Sequence, residues 1–129
     1  MKKLSIALAV VSLLGAAYVG AQQPGFSRTL LQTQDLSTPE KVAVVARAEF
    51  EPGVAAGRHT HPGEELGYIL EGELELLVDG QPPRKVKAGE VFFVPAGIIH
   101  DGKNTGGGKA KVLATYVVEK GKPVATPAK

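Results

Sequence analysis

The sequence predicts an all-β protein, a small antiparallel β-barrel or jelly roll, on three observations. Short segments alternate apolar and polar residues at a period of two. Gly, Pro and Asp-Gly turn signals interrupt them at near-regular intervals. Beyond residue 21, no segment shows a helical period of 3.6. A chain of 129 residues is long enough for one domain around one core.

Residues 1–21 stand apart. Lys2-Lys3 precede an apolar run at 4–14, and small residues end at Val19-Gly20-Ala21, the three regions of a secretory signal peptide. The apolar stretch from Leu4 to Val19 is about 16 residues, short of the roughly 20 that span a bilayer. A cleaved leader is therefore expected rather than a membrane anchor, with Gln22 the first mature residue and the periplasm or the exterior the destination. The leader carries away Lys2 and Lys3, so the 15 basic and 13 acidic residues behind the formal +2 become 13 against 13. A chain so near neutrality, without a clustered basic stripe, is not built for nucleic acid. It has no cysteine, which excludes disulfides, thiolate ligands and cysteine nucleophiles.

The mature chain divides into an N-terminal arm (22–41), a barrel domain (42–119) and a flexible, disordered tail (120–129). The arm shows little periodicity and one short strand at 27–31. Residues 42–50 form the first strong strand, with Val42, Val44, Ala46, Ala48 and Phe50 on one face. Strands follow at 66–70 and at 73–78, where Leu74, Leu76 and Val78 point inward. Asp79-Gly80 turns the chain, Pro82-Pro83 breaks it, and 84–86 pairs at an edge, where proline is tolerated. Residues 91–94 are a short strand apolar on both faces, 101–109 a glycine-rich loop, and 111–118 the last strand. Proline, lysine and the lack of any apolar period mark the tail.

The chemistry lies between Gly53 and Asn104. Successive side chains of an extended strand point to opposite faces, so His59 and His61 share a face and Thr60 takes the other. Glu65 has the same parity, although the Pro62-Gly63 bend means that parity alone does not fix its aim; its distance to Gly72 selects it over Glu64, which is expected to face solvent. His100 must come from a neighbouring antiparallel strand, and the Asp79-Gly80 turn offers a hairpin to bring it. A lone histidine is more often a surface or hydrogen-bonded residue than a ligand. Here all three histidines of the chain fall in this stretch. Three imidazoles and one carboxylate suit a divalent transition ion, Fe, Mn, Ni, Co or Zn, with coordination positions left open.

The spacing resembles the two motifs of the cupin superfamily, position by position. Gly53, His59, His61, Glu65 and Gly72 match G-x5-H-x-H-x3,4-E-x6-G; Gly89, Pro95, Gly97, His100 and Asn104 match G-x5-P-x-G-x2-H-x3-N. The resemblance to a small single-domain bacterial cupin, of the type-2 or quercetin dioxygenase-like kind, covers residues 53–104, or about 42–119 with flanking strands. It implies the double-stranded β-helix version of the predicted barrel, and one metal ion held by His59, His61, Glu65 and His100. It also implies a homodimer, which would cover strands that are apolar on both faces.

The expected function is that of a metal-dependent, dioxygenase-like oxidoreductase on a small oxygenated or carboxylate molecule, with Glu65 as ligand and catalytic proton acceptor. Two alternatives stand beside it: a non-catalytic binder of a metabolite or of the metal, and non-redox isomerase or lyase chemistry. The four motif glycines read as turn devices, Asn104 as a loop-orienting side chain, and Arg58 as an outward residue. Ile69, Phe93, Ile98 and Tyr116 are candidates to line the cavity, and Thr115 is a candidate polar group near the ion.

Overall fold

The computed structural model describes residues 22–129; the leader expected at 1–21 lies outside the described residues. Among the described residues there are ten strands and no helix: β1 (Phe26–Asp35), β2 (Lys41–Phe50), β3 (His59–Thr60), β4 (Gly63–Glu71), β5 (Glu73–Val78), β6 (Arg84–Lys87), β7 (Val91–Val94), β8 (His100–Lys103), β9 (Ala110–Glu119) and β10 (Thr126–Pro127). They form two five-stranded antiparallel sheets, ordered β1-β2-β9-β4-β7 and β10-β3-β8-β5-β6. This is the predicted all-β jelly roll.

Alternation decides which side chains fill the space between the sheets. From β2, Val42, Val44, Ala46, Ala48 and Phe50 are buried, and from β9 Ala110, Val112, Ala114, Tyr116 and Val118. Leu74, Leu76, Val78 and Val86 meet them from the other sheet. Each fully buried large apolar side chain contributes about 1.5–3 kcal/mol, and a one-residue slip would turn a whole row outward. Gly67 pairs with Phe92 across β4 and β7, and a Cβ at Gly67 would meet the Phe92 ring at 2.1 Å. Only a glycine lets that ring lie over β4.

Two segments depart from expectation. The arm contributes a ten-residue strand, β1, that pairs along β2 from Phe26↔Phe50 to Asp35↔Val42. Its inward side carries Arg28 between Phe26 and Leu30, and that charge hides the alternation. The tail is not disordered: β10 pairs with β3 through Thr126↔Thr60 and Pro127↔His59, and Val124 is buried. One apolar anchor and a free strand edge hold a segment whose composition alone predicts disorder.

The route of His100 also differs. The Asp79-Gly80 turn joins β5 to the edge strand β6, whereas β8 lies between β3 and β5, with His100 opposite both His59 and Val78. Direct β3–β8 pairing, rather than a hairpin, brings the distant histidine in.

Candidate metal centre

The site joins the two sheets, with His59 and His100 on strands of one and Glu65 on a strand of the other. His59 lies on β3 and His61 one residue past it, so strand parity turns both rings inward. Glu65 projects from β4 in the other sheet, opposite Tyr116 on β9 and Val94 on β7. His100 begins β8. Its preceding turn is tied to the site because the Gly97 amide donates to the His61 carbonyl at 3.0 Å, with Gly97 at φ +72°.

The four expected ligands converge. The ligand atoms of His59, His61, Glu65 and His100 all lie within 4.8 Å of one another, and all four residues are buried. Ring centroids are 4.8 Å apart for His59 and His61, 4.3 Å for His59 and His100, and 4.9 Å for His61 and His100. Glu65 Oε2 stands 3.0 Å from Nε2 of both His61 and His100.

The backbone sets which nitrogen of each ring faces the centre. Nδ1 of His59 donates to the Gly57 carbonyl at 2.6 Å, Nδ1 of His61 to the Val124 carbonyl at 2.5 Å, and Nδ1 of His100 to the Ile98 carbonyl at 2.9 Å. A carbonyl only accepts, so these bonds assign the proton of each neutral ring to Nδ1 and leave Nε2 as a bare lone pair. Three lone pairs and a carboxylate then face one another, an arrangement that repels until a cation stands among them. A proton could bridge one such pair; a divalent ion serves all four donors. His61 Nε2 shows the need most plainly: it is fully buried and, despite its 3.0 Å approach to Glu65, makes no hydrogen bond. The group fits a metal ion, held in the usual way by imidazoles whose second nitrogen is hydrogen-bonded.

Electrostatics point the same way. Burial, reinforced by the nearby His100, pulls the His59 pKa from 6.5 down to about 3, so this ring stays neutral and ready to ligate. For Glu65, burial alone would raise the pKa, and only positive charge or N–H donation at Nε2 of His100 and His61 outweighs it and holds the carboxyl well below its ordinary range, so an ionised Glu65 requires a cation, a second ring proton or a metal ion, beside it. Burial, followed by the Glu65 charge, raises the Tyr116 hydroxyl well above its usual value, keeping it a neutral O–H.

Around the donors lies a small cavity of about 30 Å³, walled by Phe50, Leu74, Leu76 and Phe92 and reached by His59, Glu65, His100, Arg28 and Tyr116. A second, outer pocket of about 80 Å³ is lined by Gln22, Gln23, Arg58, Ala125 and Pro127 and shares Phe26, Arg28, Ala56 and His59 with the first. The N-terminal arm and the C-terminal tail thus form the mouth.

Of the other candidates, Tyr116 lines the cavity and stacks on His61 at 4.6 Å between centroids. Ile69 is fully buried in the core. Phe93 and Ile98 are exposed, and Thr115 lies on the outer face of its sheet beside Leu66, so none of these three faces the four converging ligand groups. Odd and even positions of one strand belong to opposite faces, and Thr115 is one residue from the inward Tyr116. Glu64 turns away from Glu65 and is half-buried. Arg58 points outward in a two-pronged pair with Asp79 at 3.0 and 2.9 Å. Asn104 orients its loop, donating to the carbonyls of Phe50 and Gly108 and accepting from the Gly106 amide.

Sequence reasoning missed Arg28. Its Nε donates to the Tyr116 hydroxyl at 3.2 Å, and its guanidinium carbon lies 5.3 Å from the Phe26 ring centroid and 5.9 Å from that of Tyr116. The period-two placement of Phe26, Arg28 and Leu30 was the available signal.

A family model described as a cupin domain matches residues 46–124. Germin-like protein subfamily 2 member 2 of Arabidopsis thaliana is 39% identical over 77 residues, 56% of this chain and 35% of that protein. The HTH-type transcriptional regulator PuuR of Escherichia coli is 33% identical over 79 residues, 60% of this chain and 42% of the regulator. The chain therefore spans well under half the length of these two relatives. Among solved structures, a predicted oxalate decarboxylase from Thermotoga maritima shares 37% identity at a TM-score of 0.53, covering 58% of this chain and 65% of that one.

Proposed function

The chain belongs to the cupin family, and on that footing we propose that it is an exported, metal-dependent oxidoreductase of dioxygenase-like kind. Its substrate is a small oxygenated or carboxylate molecule bound at the centre of three histidines and one glutamate. The observation that carries this reading is the set of four convergent donor groups, three of them imidazoles oriented by backbone carbonyls, of which His59, Glu65 and His100 line a mostly apolar cavity. The solved structure similar at 37% identity is described as a predicted oxalate decarboxylase, which supports a carboxylate substrate. Residues 1–21 support export by their sequence.

A bound divalent transition ion would supply Lewis acidity and, where redox-active, one-electron chemistry with dioxygen. His59, His61 and His100 would hold it through Nε2. Glu65 would be both ligand and the group placed to take a proton from the substrate. Tyr116 keeps its proton and offers a hydroxyl beside Glu65. Phe50, Leu74, Leu76 and Phe92 exclude water, strengthening every charge interaction inside.

A second reading is favoured by one observation: beyond the ligands, only Arg28 and Tyr116 among the described residues bring polar side chains into the cavity, which suits a metabolite- or metal-binding module, and one relative is a transcriptional regulator. Metal analysis of the purified protein, then dioxygen uptake and product formation over a panel of small carboxylic and enolisable compounds, separates the readings. Iron or manganese with turnover supports the oxidoreductase. Zinc with turnover but no dioxygen uptake makes it an isomerase or lyase, and ligand binding without turnover makes it a binder. His59→Ala is expected to lose metal and activity together; full turnover without metal would remove the basis of the proposal.

A further inference from the structure

We propose that Arg28 is the carboxylate anchor of this site, and that the ligand is a small α-oxygenated carboxylic acid. Its carboxylate sits on the Arg28 guanidinium and its second oxygen is directed to the metal centre. The inference rests on the metal-dependent function proposed above and names the chemical class that site accepts.

Arg28 occupies the junction of the two pockets, lining both the outer mouth and the cavity at the histidines. Its plane is held by Phe26 and Tyr116, and its Nε is committed to the Tyr116 hydroxyl at 3.2 Å. Among the described residues, Nη1 and Nη2 make no hydrogen bond and the side chain pairs with no carboxylate. The other cation at the mouth, Arg58, is already committed to Asp79. A half-buried guanidinium with its outer edge unused is a ready fork for a planar anion. Apart from Glu65, which belongs to the ligand set, Arg28 is, among the described residues, the one charged side chain on the inner cavity. Two pockets of about 30 and 80 Å³ suit a molecule of few heavy atoms, with one carboxylate for Arg28 and one further oxygen for the histidine centre.

The test is calorimetric titration of the metal-loaded full chain with glycolate and with its uncharged analogue glycolamide, for wild type, Arg28→Met and Arg28→Lys. Metal content and thermal midpoint are measured on the same samples. Arg28→Met is expected to weaken glycolate about 10- to 100-fold, the loss of a charge-assisted hydrogen-bonded pair. Glycolamide, whose carbonyl accepts from the guanidinium without an ion pair, weakens markedly less, and metal content stays unchanged. Arg28→Lys keeps the charge without the fork and falls between; it carries the comparison if the methionine variant does not fold. Unchanged glycolate affinity in a metal-loaded Arg28 variant, equal losses for both compounds, or a metal-loaded wild type that binds no glycolate would each overturn the anchor while leaving the metal function standing. Absence of metal from the wild type under all loading conditions would instead overturn the metal function, and the anchor with it.

Discussion

The backbone carbonyl of Val124 accepts a hydrogen bond from His61 Nδ1 at 2.5 Å, so a residue 63 positions further along the chain fixes the tautomer and aim of a candidate metal ligand. Val124 is itself buried, and the strand after it pairs with β3 on the His59 side. The last turn of the chain is thus part of the metal centre. Groups of this kind, behind the ligands, typically change metal affinity 10- to 100-fold. A chain ending at Pro123 is expected to keep its fold, as the two sheets remain, but to bind zinc or manganese weaker by about that factor. Competition with a chromogenic chelator would measure it, and unchanged affinity would show that the tail carbonyl is dispensable.

That contact also marks where the sequence stops being legible. The ligands themselves were readable because their spacing obeys strand parity: His59 and His61 share a face, and Glu65 follows the bend at Pro62-Gly63. The inward rows of β2, β5 and β9 were readable for the same reason. Backbone carbonyls leave no trace in a sequence, so neither Val124 nor Gly57 nor Ile98 could be identified as partners of the rings. The tail looked disordered because its hold on the fold is one valine and a two-residue strand. Arg28 was hidden by its charge, since an arginine on an inward row breaks the apolar alternation that reveals a strand. Which strand would deliver His100 depended on pairing between β3 and β8, a long-range choice that no local turn signal encodes.

The acid sensitivity of the metal-stripped protein follows from His59. In the unfolded chain this imidazole takes up a proton near pH 6.5; in the folded protein, burial and the neighbouring His100 delay that to about 3. Between those values the unfolded state binds more protons, so stability present above pH 6.5 is lost as pH falls towards 3, by up to about 1.4 kcal/mol per pH unit for this single group. Glu65, whose folded pKa is also depressed, adds a loss in the same direction once pH falls below its unfolded value of 4.5. Urea midpoints of chelator-treated protein are expected to fall from pH 7 to 4 more steeply for wild type than for His59→Gln. Parallel profiles would show that His59 is not the group responsible.

The outer face of β4 and β7 bears on assembly. Leu66, Tyr68, Val91 and Phe93 are 48%, 44%, 62% and 54% exposed, and the register sets Leu66 opposite Phe93 and Tyr68 opposite Val91. Four large apolar side chains in one contiguous block make a candidate contact face, and an antiparallel sheet face of this kind suits a two-fold partner. Light scattering is expected to give twice the chain mass for wild type and the chain mass for Phe93→Asp. A monomeric wild type at tens of micromolar would remove the dimer from consideration.

Gly67 is where stability and the site meet in one residue. It lies opposite Phe92, whose ring covers it and also walls the metal cavity. A methyl at this position would stand 2.1 Å from Phe92 Cζ and 2.2 Å from Cε1, with no flexible chain end to give way. Interiors packed at crystal density absorb such an insertion by moving a side chain or the backbone, at about 1–3 kcal/mol. Gly67→Ala is therefore expected to lower the urea midpoint by that amount and to push the ring into the cavity, weakening small ligands without removing a single metal donor. Removing the ring should relieve the clash, so Phe92→Leu placed on Gly67→Ala is expected to recover most of the lost stability, a coupling that a double-mutant cycle measures directly. Additive losses in that cycle would mean that the glycine serves some purpose other than making room for Phe92.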